Sequence, residues 1–491
     1  MLCQKKTISK WVVALFIVAA EVNPTHAEPI TESTRPNFLV FIADDLNKEY
    51  YGCYGNEQTA APTASQLAAE GMVFENAFTG QAICAPSRSM LYTGKYPLRN
   101  GAFMNHSRVY QGTRSVCHYL RDASYDVILC GKSHVKPDDA FPWTITMHSA
   151  EPAGNPAMYT KPAMPLERLE SYLSAKDESN GRPFCIIASS FYPHGEHPTS
   201  TEFTADKVSV TRFQNDNRRT RESEARFCQA IKNSDDELAG VLALLDKYEL
   251  AENTLVIYVS DHGRFGKWTV YDRGLNVPFI ARWPGVIKEG TRTTALVSFA
   301  DVLPTMLELA GVDPVRDLDG KSFLGVLKGR TTTHQDYGYG VMTNQGIINA
   351  HVFPGRMIRS ARYKYIRNYN AMAVVQRREK AGEDFSAFLR MGAELHPGVP
   401  EEELFDLDDD PEEQNNLATN PAYQATKAEL KQKLQEWLVA QNDFLKEPGK
   451  MPLLHTSKTY RLDQRHPRRK TSLPTELLNS LDDFDFYKHQ P

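Results

Sequence analysis

Asn37-Phe38-Leu39-Val40-Phe41-Ile42-Ala43-Asp44-Asp45 is the stretch that decides the fold. After Asn37 it is apolar without alternation, it is short and rich in β-formers, and it stops at two acids. A strand with one wet face alternates in polarity, so a continuous run of this kind predicts a strand buried on both faces, as in a parallel sheet. The same texture recurs outward along the chain, at Tyr125–Cys130, Phe184–Ala188, Thr254–Ser260 and Pro278–Trp283. Val73–Phe78 predicts a further strand. Between these runs lie helical patterns: Pro62 to about Ala69, closed by Gly71; Cys84 to about Gly94; and roughly Arg221 to Tyr248, with Cys228, Ile231, Leu238, Val241, Leu242 and Leu245 at helical spacing. Helices alternating with doubly buried strands predict an α/β fold, a large, mostly parallel sheet flanked by helices.

From about residue 340 the texture changes. Arg359–Asn368 sets Ser360, Arg362 and Lys364 against Ala361, Tyr363 and Tyr365, which predicts a half-exposed antiparallel strand, and Glu403–Leu407 predicts another. Asp410-Pro411-Glu412-Glu413 reads as a helix start with a solvated acidic cap, and Asn420-Pro421 opens a last long helix to about Asn442. A smaller C-terminal α+β subdomain with a short antiparallel sheet is therefore expected over 340–491, with an irregular tail after Pro448, behind a catalytic domain over 28–339.

Residues 1–27 are set apart from the fold. Lys5, Lys6 and Lys10 precede an apolar run from Trp11 to Ala20, and Thr25-His26-Ala27 follows, the pattern of a secretory signal. The run is too short for a stable membrane span. An exported protein is expected, whether periplasmic, secreted or lysosomal. The net charge of −5, with both signs well mixed, points away from nucleic acid as a partner. Cys53, Cys84, Cys117, Cys130, Cys185 and Cys228 remain after the signal, and no disulfide is assigned among them. Asn105-His106-Ser107 matches an N-glycosylation sequon. A homodimer is compatible with the sequence.

In an open α/β sheet, ligands bind beyond the carboxyl ends of the strands. That edge here collects Asp44 and Asp45, Lys132 and His134, His194, and Asp261 and His262. Alone, each has a bland reading, as a helix cap or a loop residue; together they predict a site. Asp44, Asp45 and Asp261 crowd only around a cation, and oxygen-rich donors suit a hard divalent ion, with His262 adding a nitrogen. Adjacent aspartates point opposite ways in a regular strand, so both can ligate only where the chain has begun to turn. Arg88, Lys132, His134, His194 and Lys267 would surround the ion with groups fit to hold a tetrahedral anion. Cys84 falls at a helix start, two residues before Pro86 and four before Arg88, which places a sulfur in an anion cradle. This is equipment for hydrolysing a sulfate or phosphate ester.

Cys84-Ala-Pro-Ser-Arg88 with Leu91-Tyr-Thr-Gly94 resembles the signature of the type I, formylglycine-dependent sulfatases of the alkaline phosphatase superfamily. Arg35-Pro-Asn-Phe38 with Asp44-Asp45, Gly131-Lys-Ser-His134, Pro193-His194, Ser260-Asp-His-Gly263, Glu403-Leu-Phe-Asp-Leu407, Asp410-Pro411 and Asn416-Leu-Ala418 extend the likeness along the chain. The resemblance implies that a formylglycine-generating maturation enzyme oxidises Cys84 and that the hydrated aldehyde attacks sulfur. It implies a metal held by Asp44, Asp45, Asp261, His262 and residue 84. Arg88 would hold the residue-84 hydrate and Lys132 the sulfate. His134 would assist at residue 84, and His194 and Lys267 would bind sulfate and help the leaving group depart. Ca²⁺ is the first expectation for the metal, with Mg²⁺ or Mn²⁺ next, because many Ca²⁺-dependent sulfatases carry Asn or Gln where this chain has His262. Histidine there is also similar to phosphonate and phosphodiester hydrolases of the superfamily. Gly131–Pro137, Met357–Tyr363 and Glu412–Thr419 look most similar to the heparan N-sulfatases, the sulfamidases of glycosaminoglycan degradation. The implied substrate is a sulfated saccharide, with N-sulfoglucosamine as the nearest candidate. An O-sulfatase on another glycan and a phosphodiesterase or phosphonate hydrolase are the alternatives.

Overall fold

The computed structural model describes residues 35–56, 60–148, 157–158, 160–176, 181–211, 214–343, 354–369, 371–382, 398–443 and 445. The expected signal at 1–27, the linker that follows it up to residue 34, and the tail beyond residue 448 lie outside the described residues.

Ten strands precede residue 300: β1 (Asn37–Ala43), β2 (Met72–Phe74), β3 (Ala77–Phe78), β4 (Asp126–Gly131), β5 (Ile145–Met147), β6 (Phe184–Ser189), β7 (Thr254–Ser260), β8 (Phe279–Arg282), β9 (Thr291–Thr293) and β10 (Val297–Ser298). Eight of them form the main sheet, in the order β5-β4-β6-β1-β7-β8-β2-β9. The neighbours from β5 through β7 all pair in parallel, and β8 turns antiparallel to both β7 and β2. β1 lies between β6 and β7, and every one of its residues is buried. Phe38, Val40 and Ile42 enter one hydrophobic core, while Leu39, Phe41 and Ala43 enter another on the opposite face. Two covered faces are why this stretch carries no polar alternation.

The second sheet is antiparallel, in the order β11 (Gly338–Met342), β12 (Gly355–Arg359), β13 (Tyr363–Asn368) and β14 (Glu402–Asp406). The Gln424–Ala440 helix lays Leu430, Leu434 and Leu438, one helical face, into a core with Val341, Ile358, Tyr365 and Leu404. The other face of the sheet puts Met342, Met357, Ile366 and Phe405 against Phe78, Ile83, Val270 and Leu275. The small sheet therefore backs directly onto the two segments that flank Cys84 and Lys267.

Three expectations need correction. Val73–Phe78 is not one strand: the chain breaks at Glu75-Asn76, so that β2 joins the main sheet and β3 pairs with β10. Glu75 forms an ion pair with Arg292, an arrangement a doubly buried strand could not accommodate. Within Arg359–Asn368 the expected antiparallel strand is Tyr363–Asn368, β13, after a corner that follows β12, but it is not half-exposed: Lys364 is fully buried, with its ammonium 2.8 Å from Asp272 and 2.6 Å from Glu413. Asp410–Glu413 starts no helix. Glu413 takes a left-handed backbone (φ 56°) and is buried, where its carboxylate accepts the Asp272 N–H and pairs with Lys364. That tertiary pairing outweighs the local helix-start signal.

Candidate active site

The site forms where β1 and β7 end side by side. β1 stops at Ala43, and Asp45 sits in the left-handed region with φ 66°, a conformation aspartate tolerates better than most residues. The turn brings both acids inward. Asp44 Oδ1 and Asp45 Oδ1 each lie 3.8 Å from Cys84 Sγ. Beyond β7, Asp261 Oδ1 accepts the backbone N–H groups of Asp45 and His262, both at 3.0 Å, which ties the two strand ends together. Gly263 permits this closeness: a Cβ there would stand 1.9 Å from the Arg273 carbonyl oxygen.

Cys84 opens the Cys84–Thr93 helix, and Gly94 closes it with φ 64°. Arg88 follows one turn later and is wholly buried. Its guanidinium donates to Asp261 Oδ2 (3.0 Å), Asp44 Oδ1 (3.3 Å) and the Ser189 hydroxyl at the end of β6. Lys132, just past β4, donates to Asp44. Lys267 reaches both oxygens of Asp45, at 3.0 and 2.7 Å, and comes within 3.9 Å of Cys84 Sγ. His262 Nε2 is 2.8 Å from Asp45 Oδ1 and 3.3 Å from Cys84 Sγ. Eight predicted residues thus converge in one buried cluster: Asp44, Asp45, Cys84, Arg88, Lys132, Asp261, His262 and Lys267. His194 stands on its open side, half-exposed, with Nε2 3.7 Å from Asp45 Oδ2.

Charge holds this cluster together. Burial alone would raise the Asp45 carboxyl, but His262 and Lys267 hold it well below the usual carboxylate range. Asp261 is buried likewise and depressed by His262, Arg88 and Lys132. Burial works against the charged forms of Arg88 and Lys267 as well, and the surrounding anions more than reverse it, so both remain cations.

The donor set fits a divalent metal. Asp45, Cys84 and His262 bring ligand atoms within 4.8 Å of one another, as do Asp44, Cys84 and Asp261. Arg88, Lys132 and Lys267 already balance the three carboxylates, without counting His262, whose imidazole the same acids push well up and which must lose its proton to ligate a metal. An added dication would leave the pocket positive, which suits an anionic substrate.

His134 is set differently. Its only hydrogen-bond partner among the described residues is His106, with His134 Nε2 2.8 Å from His106 Nδ1. Burial, with Lys132, Arg88 and His106 nearby, pushes its imidazole down to about 2, so the ring is neutral. His106 and Ser189 were not singled out from the sequence. His106 was hidden inside the sequon, whose Asn105 and Ser107 side chains are buried, which does not suit a glycosylated asparagine in the folded chain. Ser189 is the polar residue that ends the apolar run of β6, the same signal that marked Asp44 and Asp261. The cysteines from Cys53 to Cys228 are all free.

Residues 36–312, more than half of the chain, match the family model described as Sulfatase. The chain belongs to the sulfatase family. This sulfatase also matches, over residues 260–380, the model described as N-sulphoglucosamine sulphohydrolase, C-terminal. It is similar to an ulvan-active sulfatase of Formosa agariphila, 42% identical over 93% of this chain and 91% of the relative. A structure solved in complex with its substrate D-glucosamine-2-N,6-O-disulfate superposes with a TM-score of 0.65 at 19% identity, covering 85% of this chain and 100% of that one. The phosphonate monoester hydrolase of Agrobacterium radiobacter superposes with a TM-score of 0.64 at 18% identity, covering 83% and 96%. At such identities the likeness shows the fold alone, and the fold does not separate sulfate from phosphonate chemistry. Among the described residues no helix is long and apolar enough to cross a membrane.

Proposed function

We propose that this sulfatase releases sulfate from a sulfated saccharide, outside the cytoplasm, using formylglycine made from Cys84 and one divalent ion, Ca²⁺ before Mg²⁺ or Mn²⁺. The observation that carries this reading is the position of Cys84 Sγ, buried between Asp44, Asp45, His262 and Lys267. A free thiol there would be a poor nucleophile toward an anion held on a hard ion. When in place, the formylglycine hydrate supplies an oxygen nucleophile and the metal supplies Lewis acidity.

The remaining roles fall to this chain's own side chains. Arg88 fixes Asp44 and Asp261 and carries positive charge to the base of the pocket. Lys132 and Lys267 offer ammonium groups to the sulfate oxygens. We assign His194, open to solvent, to bind sulfate and help the leaving group depart. His134, held neutral, is assigned to assist at residue 84 as a hydrogen-bonding group. Two observations bear on the substrate: the C-terminal match supports a sulfamate of glucosamine, and the 42% relative supports a sulfated saccharide of the ulvan kind.

Mass spectrometry of the peptide containing residue 84, from protein made in its native host, is expected to show the aldehyde. A persistent thiol in active enzyme would overturn the mechanism. A rate panel of sulfamate, sulfate-ester and phosphonate or phosphodiester substrates tests the chemistry, and dominant turnover of the phosphorus substrates would sink the saccharide-sulfate reading.

A further inference from the structure

Beside His194, outside the cluster that faces residue 84, the surface gathers more cations than the site needs. Arg264 lies in the same loop as His262 and Lys267. Its guanidinium sits 3.9 Å from the Phe227 ring centre. His197, three residues past His194, packs on the same ring with centroids 5.0 Å apart. Arg226, next to Phe227 on the Arg218–Lys247 helix, is exposed. Lys161 is held against the loop preceding His194, since its backbone N–H donates to the Tyr192 hydroxyl at 3.1 Å and its carbonyl accepts from that hydroxyl.

These cations are underpaired. Arg264 Nη1 approaches Glu224 at 3.4 Å, but Glu224 is buried and already accepts from Tyr50 and Gln214, each at 2.8 Å. Among the described residues, the side chains of Lys161, His197 and Arg226 have no hydrogen-bond or ion-pair partner. Glu196, two residues past His194, is exposed. The contrast with the same helix is direct: Arg218, Arg221 and Lys232 each carry an acid partner. Exposed cations left unpaired and clustered raise the local concentration of anions and cost stability through mutual repulsion. Burial, with Arg264, Arg226, His194 and Lys161 nearby, pushes the His197 imidazole down to about 4, so this ring is a neutral hydrogen-bonding group among cations.

We propose that Lys161, His197, Arg226 and Arg264 form a second anion subsite beside His194, which selects saccharides carrying a carboxylate or a further sulfate next to the sulfate that is removed. The inference rests on the saccharide-sulfatase reading above. It gives the substrate at least two negative charges, one at residue 84 and one beyond His194.

The test is sulfate release by the full-length matured enzyme, followed by ion chromatography. Its substrates are ulvan and heparan sulfate oligosaccharides, each native and carboxyl-reduced, and N-sulfoglucosamine with and without a 6-O-sulfate. A fall of about tenfold or more in kcat/KM on carboxyl reduction identifies a carboxylate as the second anion, and a similar gain from the 6-O-sulfate identifies a sulfate. In Arg264→Gln, and in Lys161→Gln/Arg226→Gln, which alters only side chains without partners, that ratio is expected to collapse toward one. Thermal melting shows whether either variant is folded. Equal rates on singly and multiply charged substrates would remove the subsite and leave the sulfatase standing, as would a preference that survives in both folded variants. Sulfate release from none of the six would overturn the saccharide reading itself, and the subsite with it.

Discussion

His134 Nε2 and His106 Nδ1 face each other at 2.8 Å, and the buried Nδ1 of His134 has no partner among the described residues. One hydrogen lies in this contact, so the tautomer of His106 sets which nitrogen of His134 carries its hydrogen. With the hydrogen on Nε2, the inner Nδ1 is a bare lone pair, the form able to accept a hydrogen bond at the site. His106→Ala is expected to lower kcat about tenfold or more with a smaller change in KM. His106→Asn, whose amide can stand near the Nδ1 position, should recover part of the loss. Steady-state kinetics of both variants across pH checks this, and equal damage from Ala and Asn would count against it.

The metal site predicts a second outcome. Treatment with a chelator should abolish sulfate release and lower the melting temperature, and Ca²⁺ should restore both. Asp45→Asn and Asp261→Asn should each lower bound metal, measured by elemental analysis. If these variants kept full metal content, the ligand assignment would fail.

Glu237 gives a pH prediction away from the cluster. It is buried in the Arg218–Lys247 helix, where burial pushes its carboxyl up to about 7 despite hydrogen bonds from the Ser190 hydroxyl and the Met164 N–H. The folded state therefore keeps a proton between about pH 4.5 and 7 that the unfolded chain releases. The stability this lends is fully present below about 4.5 and is lost as pH rises through 7, a swing of about 3 kcal/mol. Glu237→Gln should remove that slope, as read by urea denaturation at pH 5 and pH 8. The same Ser190 hydroxyl accepts the Tyr192 N–H, so the chain entering the His194 loop is anchored through this carboxyl.

Lys364→Met should be costly. It leaves Asp272 and Glu413 facing each other in a buried setting without their shared ammonium, a loss of about 3–5 kcal/mol. Adding Glu413→Gln to the same chain should return part of it. Thermal and denaturant unfolding of the single and double variants decides the point. A single variant as stable as the parent would mean that the pair contributes nothing.

The strands, and the acids that end them, were legible because a doubly buried strand has to be apolar throughout, so the polar residue that stops it stands out. Asp44, Asp45 and Asp261 were found in this way, and Ser189 carried the same mark at the end of β6. His106 was not legible, since its role comes from a contact with a residue 28 positions away and its neighbours suggested glycosylation. Lys364 misled for a related reason. Alternation assigns it to the wet face of a strand, and only the acids from two distant segments make its burial tolerable. Glu413 failed on the same network, where a local helix-start signal met a stronger tertiary ion pair.

Cys84 is 1% exposed once the chain is folded, and it is sealed in by His262, which is synthesised 178 residues later. Under the formylglycine mechanism proposed above, a maturation enzyme has to reach that thiol, and folding leaves almost none of its surface exposed. On that mechanism conversion competes with folding: a molecule that folds first would be held as a cysteine form that has the correct shape and no nucleophile. The active fraction of a preparation would then be set by the relative speed of the two processes, and raising the amount of folded protein alone would not raise it.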